Sequence, residues 1–286
     1  MIKIIINNQR NFVYYNKFFV QNLLGLNYIK DNSSVISDVS VTNGTAKTTY
    51  ANRFDDLNRK ISELITKKSI KIHDVAASNG ITSLELYHHL ANAGFKPTLF
   101  FSDKFSTLYY YSERNKTFFY DTDGQYVFGY TYGMLASKLV SNFFLGCKWL
   151  YYISEKYAKS KFNHSLPTTL LLHADVIKTS EKNLNFRYIS HDLFQDVQNG
   201  AYDLVRAMNI LNPIYFSEKQ LKYALTLIHQ SLGEDGIFLV GRTHIDDGKN
   251  HASFYRKSNA GFVLIEHHNT GSEIRKLIEN VNVLDG

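Results

Sequence analysis

The sequence predicts an α/β fold: a doubly wound, mostly parallel sheet with an antiparallel C-terminal hairpin and an inserted hairpin-plus-helix subdomain. Three observations predict it. Strand-length apolar runs alternate with apolar residues at helical spacing over residues 53–103, and again over 186–240. A basic, aromatic insertion of about 80 residues separates the two series, and the last two strand-like runs stand only residues 257–260 apart.

In chain order, residues 1–53 are rich in Asn, Ser, Thr and Val with weak periodicity, and read as an N-terminal extension or cap. The domain proper spans 54–286, with the insertion at about 104–183. Phe54, Leu57, Ile61, Leu64 and Ile65 recur at helical spacing and deliver the chain into a strand over Ser69–Val75. A turn at Ala76–Asn79 follows, Gly80 opens a helix carrying Leu84, Leu86 and Leu90, and a second strand runs from Pro97 to Ser102. Such a β-α-β unit makes parallel strands with a right-handed crossover.

The second series comprises strands at Phe186–Ile189, Tyr202–Val205 and Gly236–Val240, with a helix at Ser217–Leu232 before the last. The terminal hairpin pairs Ala252–Arg256 with Gly261–Glu266. Inside the insertion, Tyr109–Tyr120 and Gln125–Tyr130 form a hairpin turned at Asp121-Thr122-Asp123-Gly124, because Asp-Gly tolerates positive φ. Helix is expected from about Gly133 to Lys159. Together these elements make a Rossmann-like sheet.

Composition narrows the functional classes. Hydrophobic residues make up 44% and charged residues 20%, which excludes disordered, collagen-like and coiled-coil chains. The net charge of +6 is too small at 286 residues to imply nucleic-acid binding, and no nucleic-acid partner is expected. One cysteine, Cys147, allows no internal disulfide and suits a reducing compartment, and no secretory leader is read at Met1; a cytoplasmic protein is expected. Lys138, Asn142 and Lys148 break the most apolar stretch, so no transmembrane segment is expected. Adjacent pairs His88-His89 and His267-His268 point apart on either a helix or a strand, and no metal site is expected.

In an open α/β sheet, ligands bind beyond the carboxyl ends of the strands where strand order reverses. Four stations qualify. After the first strand, small residues Ala76, Ser78 and Gly80 let a ligand approach the backbone, preceded by Asp74. After the second, Asp103 can accept the two hydroxyls of a ribose. After the third, Ser190-His191-Asp192-Leu193 offers a polar group beside an apolar one for an adenine. After the fourth, Arg206 and Met208 border the same place, Met208 able to pack on a ring. These stations describe a nucleoside site. A dinucleotide fingerprint needs Gly-x-Gly-x-x-Gly, whereas here an acid precedes a differently spaced run, which repels a pyrophosphate and suits an amino-acid moiety.

Asp74-Val75-Ala76-Ala77-Ser78-Asn79-Gly80 resembles the first motif of class I S-adenosylmethionine-dependent methyltransferases, Asp-x-Gly-x-Gly-x-Gly, with Ala and Ser in place of the first two glycines. Asp103 matches that family's ribose-binding acid and Asp192-Leu193 its adenine station. Tyr202–Arg206 and Leu232–Val240 resemble its segments at the fourth and fifth strands. Arg206, Asn209-Ile210-Leu211 and Tyr215-Phe216 are similar to the Arg-Asn-x-Leu-x-Tyr-Phe run of chemotaxis-receptor (CheR-type) methyltransferases, interrupted here by two insertions.

The resemblance covers about residues 54–286. It implies S-adenosylmethionine as cofactor, held by Asp74, Ala76, Ser78, Gly80, Asp103, Asp192, Leu193, Arg206 and Met208. It also implies a small-molecule or protein methyl acceptor, met by Tyr215 and Arg242, with Asn209 and His251 beside the reacting atoms. A plainer reading pairs Arg206 with Asp203 or Asp192 in a structural ion pair. The alternative function is a methyltransferase-like binding or interaction protein without catalysis.

Overall fold

The computed structural model describes residues 3–6, 10–13, 49–104, 106–131, 134–137, 145–189, 191–194 and 199–280. It divides into two compact units, one of residues 1–50 with 105–174, the other of 51–104 with 175–286.

In the first unit, β1 (Lys3–Ile6) pairs antiparallel with β2 (Arg10–Val13). The helix α1 (Asp55–Leu64) and strands β3 (Ser69–Val75) and β4 (Lys96–Ser102), with α2 (Ile81–Asn92) between them, belong to the second unit. The insertion then contributes β5 (Thr107–Glu113), β6 (Lys116–Tyr120), β7 (Tyr126–Thr131), β8 (Met134–Ser137), α3 (Leu145–Lys159) and β9 (Thr168–Leu170). These five strands form an antiparallel sheet in the order β8-β7-β6-β5-β9. At the predicted turn Gly124 has φ 77°, and Asp121 Oδ1 accepts from the N–H groups of Asp123 and Gln125.

The expected helix from Gly133 is corrected at its start. Met134–Ser137 extends the meander, Thr131 pairing with Met134 and Phe128 with Ser137, and the helix begins at Leu145. Met, Leu and Ala suit a helix locally, but an unpaired β7 edge offers a row of backbone partners that only a strand can use. The Cys147 side chain and Ser190 lie outside the described residues.

The second unit continues with α4 (Ala174–Lys182), β10 (Phe186–Ile189), β11 (Tyr202–Met208), α5 (Glu218–Ser231), β12 (Leu232–Thr243), β13 (Asn250–Ser258), β14 (Gly261–His268) and α6 (Arg275–Glu279). Its seven-stranded sheet has the order β10-β4-β3-β11-β12-β13-β14, the first five parallel and the last two antiparallel. Numbered along the chain that is 3-2-1-4-5-6-7, the doubly wound order, and the order in which successive strands are added reverses between β3 and β11. The α/β fold and the C-terminal hairpin are as expected.

Helix α5 starts where the sequence places it, because Ser217 and Gln220 form a reciprocal capping box. Its Leu221, Ala224, Leu225 and Ile228 pack on Val75, Val205, Ala207 and Phe238 of the sheet. The register aligns Ser102, Val75 and Ala207 across three strands, with Met208 beside Gly241 and Arg242 beside His251. One carboxyl edge therefore collects the segments that carry the expected site.

Candidate functional site

The loop after β3 departs from ordinary backbone three times. Ala76, Ser78 and Gly80 have φ of 57°, 58° and 79°. Left-handed φ is free for glycine but costs an L-residue about 1–2 kcal/mol. Neither side chain relieves that cost by a local turn of its own, so the surrounding structure imposes the conformation. The loop is held by Ala77 N–H to Ser102 O at 2.8 Å and by Ser78 N–H to Asp103 Oδ2 at 2.9 Å. Gly80 must be glycine for space as well: a Cβ there would lie 2.9 Å from both Phe101 and Val176. Two buried polar atoms in this loop, Ser78 Oγ and Asn79 Nδ2, have no hydrogen-bond partner among the described residues. Such atoms cost free energy unless a ligand or water meets them.

Asp103 is half-buried at the carboxyl end of β4, joined to this loop through Ser78. Beside it, Lys104 Nζ donates to Asp192 Oδ2 at 2.9 Å, and Phe194 N–H donates to Asp192 Oδ1 at 3.1 Å. Burial pushes the Asp192 carboxyl up, but the hydrogen bonds from Lys104 and Phe194 outweigh it and hold the group below its ordinary value. Leu193 and Met208 are buried, Leu193 within the core beneath α5.

Asp74 and Arg206, both expected at the ligand, are partners of one another in the structure. Both are buried, and they sit opposite in the β3–β11 register. Arg206 Nε donates to Asp74 Oδ1 at 2.8 Å and Nη2 donates to Oδ2, while Ser83 Oγ also donates to Oδ2. The remaining guanidinium donors reach Asn58 Oδ1 at 3.1 Å and Thr82 O at 3.0 Å. Three donors thus reach this buried carboxylate, and the guanidinium offsets its charge. Arg206 pairs with neither Asp203, which accepts from Lys67 Nζ and Lys71 N–H, nor Asp192.

The other expected residues lie on the β11–β12–β13 part of the edge. Asn209 has φ 62° and its Oδ1 accepts from Thr243 N–H at 2.9 Å, so its side chain is committed to the backbone. His251 is buried, with Nδ1 2.6 Å from Thr270 Oγ1 and Nε2 2.9 Å from Asp247 Oδ2. His244 stacks on its ring at 4.0 Å between centroids. Both His251 nitrogens therefore have partners, a hydroxyl on one side and a carboxylate on the other. Arg242 Nη1 pairs with Glu273 at 3.1 Å. Tyr215 is exposed on the segment before α5.

Sequence reasoning missed His73. It lies on the sheet face opposite Asp74, buried, with Nε2 2.9 Å from Ser102 Oγ and rings of His191 and Tyr202 at 4.8 and 4.9 Å. Burial, and next the charge of His191, push it down to about 3. Its only sequence signal was its place between two core positions. Among the described residues, no group of three or more His, Cys, Asp or Glu side chains could hold a metal ion, and no helix is long and apolar enough to cross a membrane.

No protein-family profile matches the chain, and no curated protein matches it. Solved structures do. An S-adenosyl-L-methionine-dependent methyltransferase candidate from Methanococcus maripaludis aligns at 11% identity over 66% of this chain and 55% of that one, TM-score 0.34. Phosphoethanolamine N-methyltransferase 1 of Haemonchus contortus, solved with phosphoethanolamine and S-adenosylhomocysteine, aligns at 12% over 76% and 29%, TM-score 0.36. The PH0226 protein of Pyrococcus horikoshii aligns at 13% over 81% and 79%, TM-score 0.36. The chain thus spans about half the length of the first of these and less than a third of the second. Identities and TM-scores this low carry nothing about the chemistry of this chain.

Proposed function

We propose that this protein is an S-adenosylmethionine-dependent methyltransferase acting on a small-molecule or protein acceptor. The observation that carries the reading is the run of left-handed residues at 76, 78 and 80. Two of the three are not glycine, so the loop keeps the backbone shape of the glycine motif at a cost in strain. A strained loop at the point where strand order reverses is a place for a ligand.

The residues fit an adenosyl group in part. In this reading Asp103 would meet a ribose and Asp192 with Leu193 an adenine, supported by their positions after the carboxyl ends of β4 and β10. The unpartnered Ser78 Oγ and Asn79 Nδ2 supply polar groups in the loop itself. Asp74 fits an ammonium-binding role less well, because the Arg206 guanidinium already offsets its charge. In this reading Asp74, Arg206 and Asn209 are positioning residues that hold the floor and rim. Tyr215 and Arg242 would meet the acceptor, and His251 would act through the exposed Thr270 hydroxyl.

The cofactor, when bound, supplies a methyl group on a good leaving group. The protein's share is then alignment of the acceptor and exclusion of water, and no general base is obligatory for a carboxylate or amine acceptor.

A second reading, a methyltransferase-like binding protein without catalysis, is favoured by the neutralised Asp74. Calorimetric titration with S-adenosylmethionine, S-adenosylhomocysteine and NAD, repeated on Asp103→Ala, tests the first. Micromolar binding of both adenosyl ligands, lost in the variant and absent for NAD, is expected. No adenosyl binding to the unaltered protein would sink both the cofactor and the activity.

A further inference from the structure

Helix α3 of the insertion is apolar on two sides. Its inner side is accounted for by the five-stranded sheet: the Tyr151 ring lies 5.5 Å from that of Tyr126, and Tyr157 lies 5.7 Å from Phe118. Tyr120 Oη donates to Ala158 O at 2.8 Å, and Ser154 and Ala158 are buried. That packing is enough to fix the helix on its unit.

The outer side carries Trp149, Tyr152 and Ile153, which are 70%, 64% and 43% exposed. Positions i, i+3 and i+4 form one stripe, and exposed Lys156 continues it one turn on. Lys159 is also exposed, bridged to Glu155 at 3.0 Å. An exposed apolar stripe bordered by charged residues marks an interaction surface.

We infer that this outer face docks on an anionic lipid surface, with the helix lying in the interface. The residue types point to lipid. Trp and Tyr, with an apolar body and a polar edge, concentrate at the headgroup level, and a flanking lysine meets the phosphates. At 15 residues the helix is about 22 Å long, too short for a hydrocarbon core of about 30 Å, so it lies on the surface and does not span it. Charge agrees: residues 105–174 hold 7 Lys and Arg against 4 Asp and Glu. This surface is independent of the cofactor reading, and neither depends on the other.

The chain has one tryptophan, so Trp149 is its own reporter. The experiment adds vesicles of phosphatidylcholine alone, or of equal parts phosphatidylcholine and phosphatidylglycerol, to the full-length protein. Tryptophan emission, acrylamide quenching and co-sedimentation are followed. The expected result is a blue shift with loss of quenching on the anionic vesicles only, weakened by salt. Lys156→Glu should weaken vesicle binding about tenfold. Tyr152→Ser with Ile153→Ser should abolish the shift while leaving the circular dichroism spectrum unchanged.

Four results would overturn the inference. One is no shift with either vesicle, and another is an equal shift with both. A third is emission already blue and unquenchable in buffer, which would mean that Trp149 is covered within the protein. The last is a shift that follows protein concentration without vesicles, which would assign the face to a second copy.

Discussion

Arg206 and Asp74 form a buried, two-point ion pair across the two parallel strands at which strand order reverses, Nε to Oδ1 at 2.8 Å with Nη2 on Oδ2. Neither partner reaches solvent, and the guanidinium is further held by Asn58 and the Thr82 carbonyl. Removing one partner leaves an uncompensated buried charge, whereas replacing both by apolar groups removes the desolvation cost as well. Arg206→Met and Asp74→Leu should therefore each lose about 3–5 kcal/mol of stability, and the two together should lose less than either single change. Urea unfolding of the four proteins checks this. A double variant as unstable as the sum of the singles would mean that the pair contributes no coupling.

The strained loop makes an opposite kind of prediction. Ala76→Gly and Ser78→Gly relieve left-handed φ at 57° and 58°, against a smaller loss from the freer unfolded chain. Each should leave stability unchanged or raise it by about 1 kcal/mol, while Ala76→Val should lower it. Thermal unfolding midpoints decide. Destabilisation by Ala76→Gly would show that the methyl group, not the backbone, matters there.

His73 links stability to pH. Its folded-state value of about 3 lies below the ordinary 6.5, so between those limits the unfolded chain binds a proton that the native protein excludes. Its stabilising effect is complete above pH 6.5 and is lost as pH falls, at up to about 1.4 kcal/mol per pH unit. His229, lowered chiefly by burial, acts in the same direction. His73→Gln should flatten the dependence measured by urea unfolding between pH 7 and about 4.5. An unchanged slope would exclude His73 as its source.

Gly241 on β12 lies between Met208 of β11 and Ala252 of β13. A Cβ there would lie 2.3 Å from His251 O and 2.6 Å from Ala252 Cα, both backbone atoms that cannot rotate away. Gly241→Ala should cost about 1–3 kcal/mol and loosen β13, read as faster amide exchange at His251 and Ala252. Unaltered exchange would show that the sheet absorbs the methyl group.

Much of the fold was legible because its signals are local. The capping residues Ser217 and Gln220, the Asp123-Gly124 turn and the alternating run over Ser69–Val75 each act within a few positions. Met134–Ser137 was misread for the same reason: its local preference is helical, and its strand depends on a neighbour. The small residues after β3 and the position of Asp103 were also legible, since both follow directly from where strands end. The enclosure of Asp74 was not, because its partner is 132 residues away.

The sequence by itself determined the order of strands and helices, and hence which residues arrive at the carboxyl edge of the sheet. Only the tertiary structure decided what those residues face. Strand register set Arg206 against Asp74, and the loops before β13 and after β14 set His251 between Asp247 and Thr270. A charge brought into the interior takes the partner that register provides, and burial makes that pairing costly to break.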